Sequence, residues 1–237
     1  MSITQNIEEI RGRMAQAAVR SGRKPEDVLL IAVTKLHEPG EIEEAIAAGV
    51  TDIAENKVQE IQKKFDQIHS PVNWHLIGHL QTNKVKYIID KVVMIHSVDS
   101  VHLAQEIDKR ATAAGKTMDV LLQVNAAHEE SKFGLDPKDV PQVFREILDS
   151  CPNVKIRGLM HIAPWSEDPE EIRPYFKEVK DLFDTLAAVE HPNADFKYLS
   201  MGMSHDFETA IEEGANIIRV GTSIFGERDY SKKMGGM

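Results

Sequence analysis

Cysteine is almost absent: Cys151 is the only one in 237 residues. That excludes an intrachain disulfide and any metal site needing two thiolates, suits a reducing compartment, and leaves Cys151 a packing role. Basic side chains are in deficit, 28 against 38 acidic, for a net charge of −10. Nonspecific attraction to nucleic acid or to an anionic membrane is thereby disfavoured, so any phosphate bound here has to be recognised locally. Long apolar runs are missing too. The longest uncharged apolar stretch, residues 28–33, falls far short of the roughly 18 residues a spanning helix needs. Near the amino terminus Glu8, Glu9, Arg11 and Arg13 interrupt the first apolar positions, so a basic-then-apolar export pattern is lacking. A cytoplasmic protein with no membrane and no nucleic-acid partner is expected. No Ser/Gly/Pro-rich linker divides the sequence, and 42% hydrophobic content supplies one large core, so residues 1–237 are expected to form a single domain.

What is present is a rhythm. Ile7, Ile10, Met14 and Ala18 recur at helical spacing, which predicts an amphipathic helix near 4–20 ending at Ser21-Gly22. Short β-branched runs follow, at 28–34, 52–54, 74–77, 94–98, 118–124, 156–162, 196–199 and 217–220. Helical stretches lie between them, near 41–48, 56–68, 82–90, 100–114, 138–149, 170–189 and 204–213, with a short one from 222. Eight strands alternating with helices predict an α/β protein with a parallel sheet closed into a (β/α)8 TIM-type barrel behind an extra N-terminal helix. An open doubly wound sheet is the alternative.

Chemically capable residues fall at the carboxyl ends of these runs: Lys35, Glu55-Asn56, Gly78-His79, Asn125, His161, Ser200 and Arg219 to Thr222. In a barrel those ends converge on one face, where active sites are built. Lys35 ends the apolar run from Leu29 to Thr34, so its stem is expected to reach into the barrel mouth. Partial desolvation there favours the neutral amine that attacks an aldehyde, although a lysine snorkelling outward fits the same pattern. Residues 199–204 and 220–223 each join a strand to a helix, with glycines and with the hydroxyls of Ser200 and Thr222. After strands seven and eight of a barrel, such segments form the habitual phosphate site; elsewhere they would read as helix caps.

Other motifs fail on spacing. Gly115-Lys116-Thr117 resembles the end of a nucleotide-binding loop but has Arg110 where the first glycine belongs, and reads as a helix stop. His75 and His79 are four apart, yet His75 lies in a strand and no third metal ligand is near. Glu167, Asp168, Glu170 and Glu171 suit a solvated helix start.

Blocks spanning nearly the whole sequence resemble the pyridoxal phosphate homeostasis proteins, once described as proline synthetase co-transcribed. They are residues 32–35 (AVTK), 55–60 (ENKVQE), 74–84 (WHLIGHLQTNK), 129–134 (EESKFG), 158–160 (GLM), 199–204 (LSMGMS) and 219–226 (RVGTSIFG). The resemblance implies a barrel like the amino-terminal domain of alanine racemase. It implies pyridoxal 5′-phosphate (PLP) as cofactor, held as a Schiff base on Lys35, with phosphate contacts from Ser200, Gly221 and Thr222. Arg219 would face the pyridine nitrogen and Asn56 would lie near the ring, with His79, Met160 and Met201 in the pocket wall. Departures from the commoner pattern occur at Ile53-Ala54, where Phe-Gly is frequent, at Ala126-Ala127-His128, where Thr-Ser-Gly is frequent, and at His161, often Thr.

An arginine beside the pyridine nitrogen keeps it unprotonated and weakens carbanion chemistry. Racemisation also needs a second base, which racemases of this fold take from an added β domain and a dimer partner; one barrel filling 237 residues leaves no room for it. None of Tyr87, Tyr175, Tyr198 and Tyr230 is placed by the sequence to serve. The expected function is a PLP carrier or buffer in vitamin B6 and amino-acid homeostasis, monomeric, with PLP-dependent apo-enzymes as partners. A weak amino-acid racemase using Lys35, or a cofactor-free lysine aldolase, are the alternatives.

Overall fold

A computed structural model of the chain describes residues 2–129 and 132–226. Among them, eight strands pair in parallel, each with its neighbour in sequence and the last with the first. They are β1 (Leu29–Val33), β2 (Asp52–Glu55), β3 (Asn73–Leu76), β4 (Met94–Val98), β5 (Met118–Val124), β6 (Val154–His161), β7 (Ala194–Ser200) and β8 (Ile217–Val220). The closed barrel, not the open sheet, is the fold. Closure is thinnest between β7 and β8, where Ser200 and Ile217 form the recorded pair.

The helices are α1 (Ile3–Arg20), α2 (Pro39–Ala47), α3 (Val58–Lys64), α4 (Val101–Ala113), α5 (Val140–Ser150), α6 (Arg173–Ala187), α7 (Phe207–Glu212) and α8 (Thr222–Phe225). The helix expected at 82–90 is instead a 3₁₀ segment, Thr82–Tyr87. That path rises about 2.0 Å per residue against 1.5 Å, carrying the chain back toward β4 in few residues. The expected helix at 170–189 likewise opens with a 3₁₀ turn, Pro169–Ile172, capped by Asp168 accepting from the Glu170 N–H. Gly115, at φ +65, ends the α4 segment, so the lysine after it is part of a helix stop.

Two kinds of core follow from the alternation of side chains along each strand. The larger lies between strands and helices and includes Ile7, Ile53, Leu76, Phe144 and Phe176, with Cys151 buried in it. The smaller ones contain strand residues with Ile77 and Ile162 just beyond β3 and β6, Ile31, Val33, Ala54, Ile77 and Ile217 in one and Met94, Leu121 and Met160 in the other, and fill the barrel itself. Helix α1 begins with a capping box between Ser2 and Gln5 and buries Ile7, Ile10, Met14, Ala17 and Ala18. It packs on α2, α7 and α8, and the Asn6 amide donates to the Ile224 carbonyl at 2.8 Å, tying it to the last helix beside the barrel mouth. No described helix is long and apolar enough to cross a membrane.

Candidate functional site

At the carboxyl end of β1, the backbone turns sharply. The His37 N–H donates to the Thr34 carbonyl, and Leu36 sits between them at φ +69, a left-handed conformation that costs a branched residue energy and tends to survive at functional sites. Lys35 is therefore held half-buried on a tight turn. The turn is braced from behind. Lys64, on α3, donates to the Thr34 carbonyl at 2.9 Å and to Glu55 Oε1 at 2.8 Å, and the Thr34 hydroxyl donates to the same Glu55 oxygen at 2.7 Å. Lys64 and Glu55 are both buried, and burial pushes the Glu55 carboxyl up against the pull of Lys64 and Thr34. Glu55, at a strand end that pointed to the site, serves the Lys35 turn and is not part of the cleft wall.

Next to it, Gly78 allows two loops to touch. A Cβ at this position would lie 2.2 Å from the Asn56 carbonyl oxygen, so only glycine lets the segments after β2 and β3 approach so closely. Asn56 is thereby set into the mouth, where its Oδ1 is buried with no hydrogen-bond partner. An orphaned acceptor of this kind calls for a donor from a ligand or water.

Across the mouth, Arg219 leaves β8 with 3% exposure. Its guanidinium donates to Ser200 Oγ at 2.6 Å and to the His161 carbonyl at 2.8 Å. Burial pushes its pKa down to about 10, with the charge of Asp206 opposing, so it stays cationic at neutral pH. The loops after β7 and β8 are clasped together, the Ser223 N–H donating to Ser204 Oγ at 3.3 Å. Gly202, at φ +92, lets the loop after β7 pack on α7, because a Cβ there would meet Ala210 and the Phe207 Cα at 2.8 Å.

These residues enclose a cleft of about 130 Å³ lined by Lys35, Asn56, Arg219, Gly221 and Thr222, with Ser204, His205 and Met203 on one side and Val33, Ile77 and Ile162 as apolar walls. Its lining carries the Lys35 amine, the Arg219 guanidinium and no carboxylate. It shares Asn56, Ile77 and Ile162 with an adjoining recess of about 300 Å³ that holds His79, Asn125 and Lys132. There His79 stacks on Phe133, with ring centroids 3.7 Å apart, and faces Asp99 at 3.5 Å. A hollow of about 590 Å³ near Arg23, Leu29 and Asn216 lies at the opposite, amino-terminal end of the strands, away from these groups.

Five of the residues singled out from sequence thus meet: Lys35, Asn56, Arg219, Gly221 and Thr222. The other four do not line the cleft. His79 belongs to the adjoining recess. Ser200 is fully buried beneath the cleft, its hydroxyl engaged with Arg219 and His96. Met160 packs inside the barrel, and Met201, one residue on from inward-facing Ser200, points into the strand-helix core. Ile77, Ile162, Met203 and His205 were not singled out. Ile77 and Ile162 lie two residues beyond His75 and Met160, whose alternation would have shown them on the inner face. Glu130, Ser131 and Tyr230, which figure in the sequence reading, lie outside the described residues.

A family model described as alanine racemase, N-terminal domain, matches residues 2–229. A pyridoxal phosphate homeostasis protein from Aquifex aeolicus is 44% identical over 97% of this chain and 100% of its own, and one from Pseudomonas aeruginosa is 38% identical over 97% of each. The chain belongs to the pyridoxal phosphate homeostasis protein family. Among solved structures, PipY of Synechococcus elongatus with PLP bound superposes with a TM-score of 0.81 at 35% identity, covering 95% of this chain and 100% of PipY. The closed barrel and leading helix described above are the architecture shared with that homeostasis protein family.

Proposed function

We propose that this chain binds PLP in the cleft between β1 and β8, with Lys35 as its Schiff-base anchor, and acts as a carrier or buffer in cellular PLP homeostasis. The observation that carries this reading is the donor set of the cleft. An amine and a guanidinium line one small mouth with Asn56, Ser204, Gly221 and Thr222 and no carboxylate. A doubly charged phosphate ester and an aldehyde on an aromatic ring suit that set: the hydroxyls of Ser204 and Thr222 and the backbone at 221 and 222 for the phosphate, Ile77 and Ile162 for the ring faces. The names of the Aquifex and Pseudomonas relatives and the PLP-bound PipY support the cofactor.

Bound PLP supplies an electrophilic aldehyde and a ring able to delocalise negative charge. What this chain adds favours holding over reacting. Arg219, cationic at neutral pH, cannot do what a carboxylate would, namely keep a ring nitrogen protonated and the ring a strong electron sink. No tyrosine among the described residues lines the cleft as a second base. By the same reading residues 1–237 act as one domain, a monomer in the cytoplasm that passes PLP to apo-enzymes.

The test is the visible absorption spectrum of protein purified with added PLP, beside Lys35→Ala, followed by borohydride reduction and peptide mapping. A band lost in the variant, with the reduced adduct on Lys35, is expected. An adduct on another lysine, or no band, would overturn the assignment. Inversion of single-enantiomer amino acids by the holo-protein above the Lys35→Ala control would replace the carrier with a racemase.

A further inference from the structure

Inside the barrel runs a chain of buried polar side chains that the cleft itself does not account for. Asp52 on β2, His75 on β3, His96 on β4, Ser200 on β7 and Arg219 on β8 are all at least nine-tenths buried. Asp52 Oδ1 lies 2.9 Å from His75 Nε2, His75 Nδ1 lies 3.0 Å from His96 Nε2, and His96 Nδ1 lies 3.1 Å from Ser200 Oγ. Arg219 closes the series by donating to Ser200 Oγ at 2.6 Å. Since β4 and β7 are not neighbours in the sheet, the link from His96 to Ser200 crosses the barrel lumen.

The two ends are fixed in role, a donor-only guanidinium and an acceptor-only carboxylate. Arginine has no acceptor, so Ser200 Oγ accepts from it, and the Ser200 proton is left free to point at His96 Nδ1. His96 is then protonated on Nε2 and donates to His75 Nδ1. His75 in turn is protonated on Nε2 and donates to the Asp52 carboxylate, which has no proton to give. Burial, the largest cause, and the charge of Arg219 push the His96 pKa well below its ordinary value and keep the ring neutral. Burial raises Asp52, but hydrogen bonds from His75, Thr51 and Asn73 outweigh it and hold the carboxyl below its ordinary value. A cation at the cleft floor is thus joined to an anion near the amino-terminal end of the barrel through two imidazoles, and Asp206 acts on Arg219 through charge alone.

We propose that Asp52, His75 and His96 are positioning residues that act on the cleft through Ser200 and Arg219, a directed relay that sets the orientation and donor strength of the guanidinium toward a ring nitrogen. This deepens the PLP reading and rests on it for the identity of the ring. The same relay explains why His75 is a histidine inside a strand: its second nitrogen is needed to pass a hydrogen bond on, which no aliphatic side chain at that strand position would do. It also explains why Ser200 lies beneath the cleft, where its hydroxyl can accept from Arg219 and donate to His96 at once.

The experiment has two arms. In ligand-free protein labelled with ¹⁵N-histidine, NMR at pH 7 should show both His75 and His96 as neutral Nε2–H tautomers. Asp52→Ala should disturb the His96 tautomer, two links away, while Asp52→Asn, which keeps an acceptor oxygen, should restore it. In protein loaded with PLP, Asp52→Ala should shift the visible band or its pH midpoint and weaken PLP binding about tenfold, the scale of one charge-assisted hydrogen bond, with Asp52→Asn recovering most of the loss. If Asp52→Ala does not fold, His75→Leu interrupts the relay one link further on and carries the same expectation. A folded Asp52→Ala or His75→Leu variant with an unchanged His96 tautomer, or with a wild-type PLP spectrum, would overturn the proposal. Failure of the wild-type protein to bind PLP would instead sink the cofactor reading, and the ligand-free tautomers would still decide whether the relay exists.

Discussion

At the scale of single residues, burial of ionisable groups dominates. His161, one of the departures from the commoner family pattern, is fully buried at the end of β6. Its Nδ1 lies 2.9 Å from the Val124 carbonyl and so carries the proton, leaving Nε2 a buried acceptor with no partner. Burial, the largest cause, brings its pKa down to about 4. The unfolded chain, with histidine near 6.5, therefore takes up a proton first as the pH falls, and stability drops between those two values. One such site is worth about 2 kcal/mol between pH 7 and pH 5. Urea unfolding of the wild type and His161→Leu at both pH values should show the variant's loss smaller by that amount; parallel losses would mean that His161 does not titrate as its burial implies. Buried His96 acts in the same direction and keeps the variant's curve from becoming flat.

At the scale of elements, the site depends on a helix that contributes nothing to its lining. Helix α3 delivers Lys64 beneath the Lys35 turn, where it meets Glu55, Glu60 and the Thr34 carbonyl. Breaking a buried pair leaves an uncompensated charge, which costs about 3 to 5 kcal/mol, whereas removing both partners costs much less. Lys64→Met should therefore be strongly destabilising, and Glu55→Gln combined with Lys64→Met should recover part of the loss, as measured by urea denaturation. Additive losses in the double variant would show that the pair contributes no coupling. Helix α1 plays a comparable part on the other side of the mouth, with Asn6 holding the Ile224 carbonyl of α8 close to Gly221 and Thr222.

At the scale of the whole molecule, Trp74 is buried in the strand-helix core while Trp165 is exposed. If residues 1–237 act as one domain, Trp74 fluorescence and far-UV circular dichroism should report one coincident unfolding transition. PLP at a hundredfold excess over its dissociation constant should stabilise the native state by about 2.7 kcal/mol, read as a rise in the unfolding midpoint. Lys35→Ala at the same PLP concentration should lose most of that rise; an equal rise would mean that PLP is held elsewhere. The strand and helix alternation, the barrel and the convergence of Lys35, Asn56, Arg219, Gly221 and Thr222 were legible in the sequence, because strand periodicity and the position of each residue at a carboxyl end are local properties. Local pattern does not say which way a side chain at a strand end turns. Ser200 and Met201 are adjacent, and the pleat sends one into the barrel and the other into the helix layer, so neither lines the cleft. Glu55 looked like a mouth residue until the fold paired it with Lys64, nine positions on. The sequence by itself determined the alternating architecture and the chemistry gathered at one face of it. The tertiary structure alone decided the course from Asp52 to Arg219, since a hydrogen bond across the lumen joins strands 104 residues apart and depends on barrel closure, which no local spacing encodes.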